Sequence, residues 1–439
     1  MIKKRTVLLL GAGAVMDWNG PKTWELTKLI RESGFYCNDN TTRITEFVFQ
    51  SLIKKGYEEK DINFETIINV LEELLIYYSS FDKDKKTPSL LKVFFNSSFE
   101  EILLNFSIEG GVIKHGFKLE IPRGKTYEFQ QIGALDNETP AQYFFQLLLA
   151  NLLTTVNARI TKYAYHRNDE HTQIFTPANS EINSLFSNWL KRLNPNVNIL
   201  RLYTLNYDRN FKVLALKNGI NEMFEGYDCG ESVQLGTKIR ANIPRIICDF
   251  DCHCHYNLHG SAFWRPEPRD EFQLFNAELF LQAAPHLQSN LTEQPYIQIE
   301  KGKSILISNI ITGYQKVQKG FIPPYKQMQT AFDTDCIRAA NLYIIGYSFG
   351  DEHINMSIKT ALKFNPNVKI CIVDPTYDER DGKNGYILLT QKFINVFTHY
   401  LNNFTSTRIS ETCNEYFNGK IIVYAIGMKE FLETQKQHE

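Results

Sequence analysis

The chain has no surplus of either charge: 48 Lys and Arg stand against 49 Asp and Glu, a formal net charge of −1. That balance removes the global electrostatic footprint by which a protein tracks a nucleic-acid backbone or an anionic membrane surface. No apolar run reaches transmembrane length. The eight cysteines (Cys37, Cys229, Cys248, Cys252, Cys254, Cys336, Cys371 and Cys413) are scattered irregularly, unlike a secreted disulfide scaffold. Repeats and low-complexity tracts are absent. No P-loop is present: Gly124-Lys125-Thr126 and Gly302-Lys303-Ser304 lack the required glycine five residues earlier, where Leu119 and Ile297 stand. The expectation is a protein without membrane contact or direct nucleic-acid binding.

What remains is ordinary globular material, 43% hydrophobic over 439 residues, enough for two or three structural units. The N-terminal Lys3-Lys4-Arg5 followed by VLLLGAGAV imitates a signal peptide. Cleavage at Ala12-Gly13-Ala14 would leave an apolar region of about five residues, below the roughly 7–15 such a segment needs. The stretch is therefore read as a first strand, and the protein as cytoplasmic.

After that strand, Pro21 to Ser33 reads as a helix, and then strand signals vanish for about 150 residues. Phe64 to Phe81 carries apolar residues at helical spacing. Thr139 to Ile160 opens with Thr139 as N-cap and Pro140 at the first helical position, and is apolar on nearly every side. Such a helix belongs in a core or against another chain. From about Asn196, short β-rich runs (VNILRLYTLN, CHYNLHG, SILISNI, NLYIIGYS, VKICIVDP, KIIVYAIG) alternate with helices such as Glu352 to Phe364 and Met428 to Gln437. That alternation predicts an α/β fold, a Rossmann-like parallel sheet covered on both faces, interrupted by a large all-helical insertion. Residues 1–35 and 196–439 form the sheet domain and 36–195 the insertion.

Open parallel sheets bind ligands beyond the carboxyl ends of their strands. Five predicted strand ends carry polar or glycine-rich signatures: Gly11-Ala12-Gly13; Asn206-Tyr207-Asp208; His259-Gly260-Ser261; Gly346-Tyr347-Ser348 with Asp351; and Asp374-Pro375. Singly, each has a plain reading. Gly11 and Gly13 make a tight turn, Asn206 to Asp208 cap the next helix, and Asp351 caps another. His259 is then a satisfied histidine near a turn, His353 a first-turn helix residue, and Tyr347 and Phe349 packing. Five together at one edge of one sheet indicate a site.

The order GAG, TLNYD, NLHGS, GYSFGD and an acidic strand end resembles the sirtuin family, over perhaps half the chain. The resemblance implies that Asn206 and Asp208 flank the nicotinamide ribose of NAD and that His259 is the catalytic histidine. It assigns cofactor contacts to Gly11, Ala12, Gly13, Ala14 and Asp17, to Gly346, Tyr347, Ser348 and Asp351, and to Asp374. Two departures matter. The Gly-Ile-Pro-Asp-Phe-Arg stretch of the deacylases is replaced by Asp17-Trp18-Asn19-Gly20-Pro21, and their paired CxxC zinc module is missing. The only cysteine cluster, CDFDCHCH, has the wrong spacing for structural zinc, so no metal is expected. Both departures match the sirtuin-like NADase domains of bacterial anti-phage systems.

The chemistry accommodates that reading. Cleaving nicotinamide from ribose passes through an oxocarbenium-like state, and the leaving nitrogen, already cationic, needs no general acid. An amide such as Asn206 can place nicotinamide or water, a carboxylate such as Asp208 can accept ribose hydroxyls, and His259 can polarise water. A third glycine serves helix–strand packing in hydride-transfer enzymes, and Met16 in its place argues against that class. The expected activity is NAD+ hydrolysis to nicotinamide and ADP-ribose. The expected assembly is a homo-oligomer, with a separate HerA-type ATPase as the partner implied by the resemblance. The alternatives are a protein deacylase, an ADP-ribosyltransferase, or a non-catalytic NAD or ADP-ribose sensor.

Overall fold

The structure, a computed structural model, describes residues 3–78, 99–113, 116–129, 140–228, 237–267, 278–283, 296–300, 303–306, 308–311, 320, 322–377, 391–397 and 405–436. Eight strands form its main sheet: β1 (Arg5–Leu10), β2 (Ile199–Thr204), β3 (Cys254–Asn257), β4 (Asn341–Ile345), β5 (Lys369–Val373), β6 (Ser406–Arg408), β7 (Cys413–Tyr416) and β8 (Ile421–Tyr424). Their order is β6-β7-β8-β5-β4-β1-β2-β3. From β8 to β3 every neighbour is parallel, and β7 and β6 extend one edge antiparallel. All six residues of β1 and all six of β2 are buried, as expected for central strands covered on both faces.

The helices used below are α1 (Thr23–Arg31), α2 (Ile44–Lys54), α3 (Phe64–Tyr78), α4 (Pro140–Ala164), α5 (Ser180–Arg192), α6 (Asn210–Lys217), α7 (Tyr325–Arg338), α8 (Glu352–Phe364) and α9 (Met428–Lys436). Register shows how they divide between the faces. Leu8 pairs with Tyr343 on one side and Leu202 on the other, so these three share a face. There Trp189 of α5 meets Tyr343 edge-on at 5.4 Å and Phe431 of α9 at 5.7 Å. Tyr203, one residue on, points to the opposite face and packs on Phe332 of α7 at 4.9 Å. On that second face Asp335 of α7 is fully buried and ion-pairs with both Arg5 and Arg201, while the Tyr203 hydroxyl donates to it.

The sequence reading needs three corrections. The segment between β1 and β2 is not all-helical: Ser107–Ile113, Gly116–Glu120 and Thr126–Phe129 form a three-stranded antiparallel sheet. Its signal is a short two-residue alternation, with Leu119 buried between exposed Lys118 and Glu120, too brief to stand out between long helices. The described residues of SILISNI do not join the main sheet. Lys303–Leu306 instead forms a hairpin with Tyr296–Glu300, because an apolar run does not itself choose a partner strand. Finally, β6 and β7 make the sheet mixed, and STR and CNEY are too short and polar to be seen as strands.

The apolar helix α4 resolves to the core: Phe144, Phe145, Leu148, Leu149, Leu152, Leu153 and Val156 are buried within this chain. Its ring Phe145 stacks on Tyr78 of α3 at 5.5 Å. Thr139, the expected cap, lies outside the described residues. One continuous apolar cluster runs through this helical segment and the main sheet.

His255 of β3 is fully buried, and neither ring nitrogen has a hydrogen-bond partner among the described residues. Burial pushes its pKa down from 6.5 to about 3, against a smaller opposing pull from Glu225. The unfolded chain therefore takes up this proton first, and the stability contributed by a neutral His255 is lost as pH falls from 6.5 toward 3. Chemical denaturation between pH 7 and 4 should show a shallower loss of stability for His255→Leu than for the parent chain.

Candidate functional site

The carboxyl ends of β1 and β4 meet backbone to backbone. The Gly11 N–H donates to Ile345 O at 2.9 Å and the Gly13 N–H to Gly346 O at 3.0 Å. A Cβ on Gly11 would stand 2.3 Å from Gly346 O, and one on Gly13 2.6 Å from Gly346 Cα. Gly346 is left-handed (φ 63°), and its Cβ would stand 2.3 Å from Ala14 N. Only glycines allow this approach. Beyond Gly11 the chain winds directly into a 3₁₀ turn, Ala12–Trp18, and the first α-helix begins later, at Thr23. The Gly13 N–H is used across the junction on Gly346 O, and the Ala14 N–H within the turn on Gly11 O at 3.0 Å. They are not offered outward to a phosphate as a helix start after GAG would offer them.

The loop after β2 is clamped to this junction. Asn206 Nδ2 donates to Gly11 O at 2.9 Å, and its N–H to Thr204 Oγ1 at 3.0 Å. Asn257, the last residue of β3, donates from Nδ2 to both Asn206 O and Asp208 O at 2.9 Å. The Asp208 carboxylate turns inward, fully buried: it accepts the Tyr163 hydroxyl of α4 and the Asn210 N–H at the start of α6. Burial raises its pKa, with the Tyr163 bond opposing the shift. The buried Tyr207 reaches α3, where its hydroxyl donates to Glu65 at 3.1 Å.

Next along the edge, Gly260 is left-handed (φ 95°), and a Cβ there would stand 2.2 Å from Asn309 O. That close passage, with the Ile311 N–H on His259 O at 2.8 Å, fixes the backbone carrying His259. From the β4 end, Tyr347 is buried, and its hydroxyl contacts the Asp351 N–H at 3.0 Å and Asn355 Oδ1 at 2.9 Å. Asn355 returns a bond to Phe349 O at 3.0 Å, pinning Phe349 in a left-handed conformation (φ 57°). The result brings the loop across to β3. The donor atoms of His259, Asp351 and His353 lie within 4.8 Å of one another, with the two imidazole centroids 5.4 Å apart.

Gly11, Gly13, Asn206, His259, Gly346 and Asp351 thus belong to one strand-end edge. Other expected contacts have different surroundings. Asp17 accepts the Lys429 N–H at 2.8 Å, at the start of α9. Asp374 is buried after β5, its pKa raised by burial, and accepts the Thr376 N–H at 2.9 Å. Ser348 is exposed, and Ala12 and Ala14 lie within the 3₁₀ turn. Sequence reasoning missed three residues: Asn257 as the clamp, Tyr163 as the Asp208 partner, and His353 as a neighbour of His259. The Asp-x-His spacing in GDEHIN was the only available signal for the last.

Gly346→Ala should lower stability by more than about 2 kcal/mol, combining left-handed strain with the clash at Ala14. Gly427→Ala, which meets nothing within 4 Å, should stay within about 0.5 kcal/mol. Thermal melts of both read the difference. No protein-family model matches the chain, and no curated protein matches it.

Proposed function

We propose that the chain is a Rossmann-like, sirtuin-type NAD+ glycohydrolase, releasing nicotinamide and ADP-ribose, with its site at the β1–β2–β3–β4 edge. The observation that carries the reading is the convergence of Gly11–Gly13, Asn206, His259 and Gly346 at that one edge, with the Asn206 amide bonded directly to the glycine turn. In this reading dinucleotide lies over the glycine junction, Asn206 orients nicotinamide or the attacking water, and His259 polarises that water or a ribose hydroxyl. The inward turn of Asp208 makes it a positioning residue, setting Asn206 through the loop it anchors to α4 and α6. By resemblance the enzyme acts in anti-phage defence, depleting cellular NAD as a homo-oligomer beside a HerA-type ATPase.

One observation favours a second reading. With the Asp208 carboxylate enclosed, the site has less negative charge to set against a developing oxocarbenium ion, as suits an NAD or ADP-ribose sensor.

The test is nicotinamide release from NAD+ by the purified chain, alone and with an adjacent ATPase. Asn206→Ala and His259→Ala should each reduce turnover by 100-fold or more, in the usual range for loss of a positioned polar group. Turnover that survives both substitutions overturns the residue assignment. NAD binding without turnover under any condition favours the sensor.

A further inference from the structure

We infer that His259, Asp351 and His353 form a binding site for a first-row divalent transition-metal ion. The inference goes beyond the proposed NAD chemistry and does not rest on it. Two imidazoles and one carboxylate are a donor set suited to such ions, leaving coordination positions open to water or an anionic ligand. Among the described residues this is where three such side chains gather; the Cys252, His253, Cys254 and His255 stretch does not assemble one.

Asp351 supplies an independent observation. It occupies the N-cap position of α8 in extended conformation (φ −102°, ψ 107°), where an aspartate normally accepts a helix N–H, yet its side chain makes no cap bond. A capping bond of this kind is worth about 1 kcal/mol. The carboxylate lies instead beside the two imidazoles.

The backbones behind the donors are held in place from outside the cluster. Tyr347 and Asn355 bond the 349–351 segment, and Gly260, pressed against Asn309, anchors His259. Such support is what a preorganised site needs. Donors around one ion stand about 3–3.5 Å apart, given bonds of about 2.0–2.2 Å. Reaching that range from the present spacing, within 4.8 Å, calls for side-chain rotation of His259, Asp351 and His353 about the pinned backbone. With an ion bound, His259 serves as a ligand, and polarisation of a water passes to the ion.

The experiment titrates chelator-treated protein with Co2+ in the absence of NAD, reading visible d–d absorption and calorimetric stoichiometry. One equivalent should bind, and Asp351→Asn and His353→Ala should each weaken it at least tenfold. Melting temperatures of the metal-free variants report folding. Asn is itself favoured at an N-cap, so Asp351→Asn keeps a residue suited to the start of α8, and His353→Gln is the milder second variant. Absence of saturable Co2+ binding by the parent chain overturns the site. Equal affinity in folded Asp351→Asn and His353→Gln overturns it as well, as does loss of binding in Cys252→Ser alone. Nicotinamide release that persists in chelator, without Co2+ binding, would remove the metal and leave the NAD reading standing.

Discussion

Three residues without side chains, Gly11, Gly13 and Gly346, determine how closely the two central loops of the sheet approach. At Gly11 and Gly346 the space for a Cβ is already occupied 2.3 Å away by backbone atoms of the opposite loop. Everything at the edge inherits that spacing. Asn206 reaches Gly11 O because β1 and β2 end in register, Leu10 opposite Thr204. The loop after Gly346 can turn toward β3 because Gly346 and Phe349 are both left-handed. A side chain at any of these glycines would separate β1 from β4 and displace Asn206 from the loop that brings Asp351 and His353 to His259.

The sheet face opposite α5 and α9 bears a different constraint. Arg5, Arg201 and Asp335 are all buried, two cations about one carboxylate, to which the Tyr203 hydroxyl also donates. Arg201 also donates to Cys252 O at 3.1 Å, tying the segment before β3 to β2. Removing one member of such a cluster strands a buried charge, at a cost of about 3–5 kcal/mol. The cluster fixes where α7 lies against β1 and β2. Tyr325, at the other end of α7, donates to Ser308 O at 3.2 Å, beside the segment that pins Gly260. A rigid α7 therefore links the charged cluster to the backbone of His259.

Strands β1, β2, β4, β5 and β8 were legible because each is a near-continuous apolar run, fully buried in β1 and β2, and such runs are read directly from the residue order. The runs also placed Asn206, His259 and Asp351 at strand ends, which is where they stand. Pairing was less visible: the polar edge strands β6 and β7 carry no such run, and SILISNI resembles a central strand while forming a hairpin. The unread part of the site depends on separation along the chain. Tyr163 and Asp208 are 45 residues apart, and Asn257 and Asn206 are 51 apart, and neither bond has a local sequence signature. Asp351 carried a real local signal for an N-cap. Its position obeys that signal while its carboxylate does not, so the departure appears only once the neighbouring imidazoles are in place.

The helical segment between β1 and β2 follows from the same contacts and is no appendage. Tyr163 of α4 bonds the Asp208 carboxylate, Glu65 of α3 accepts the Tyr207 hydroxyl, and Trp18 packs edge-on against Phe186 of α5 and Phe211 of α6. Two consecutive residues of the TLNYD loop thus take their partners from helices inserted after β1. Burying the Asp208 carboxylate is unfavourable unless hydrogen bonds satisfy it, and one of its two bonds comes from α4. The loop that positions Asn206 therefore takes part of its support from the insertion. A displacement of α4 would be felt first at Asp208, and through it at the amide that faces the glycine turn.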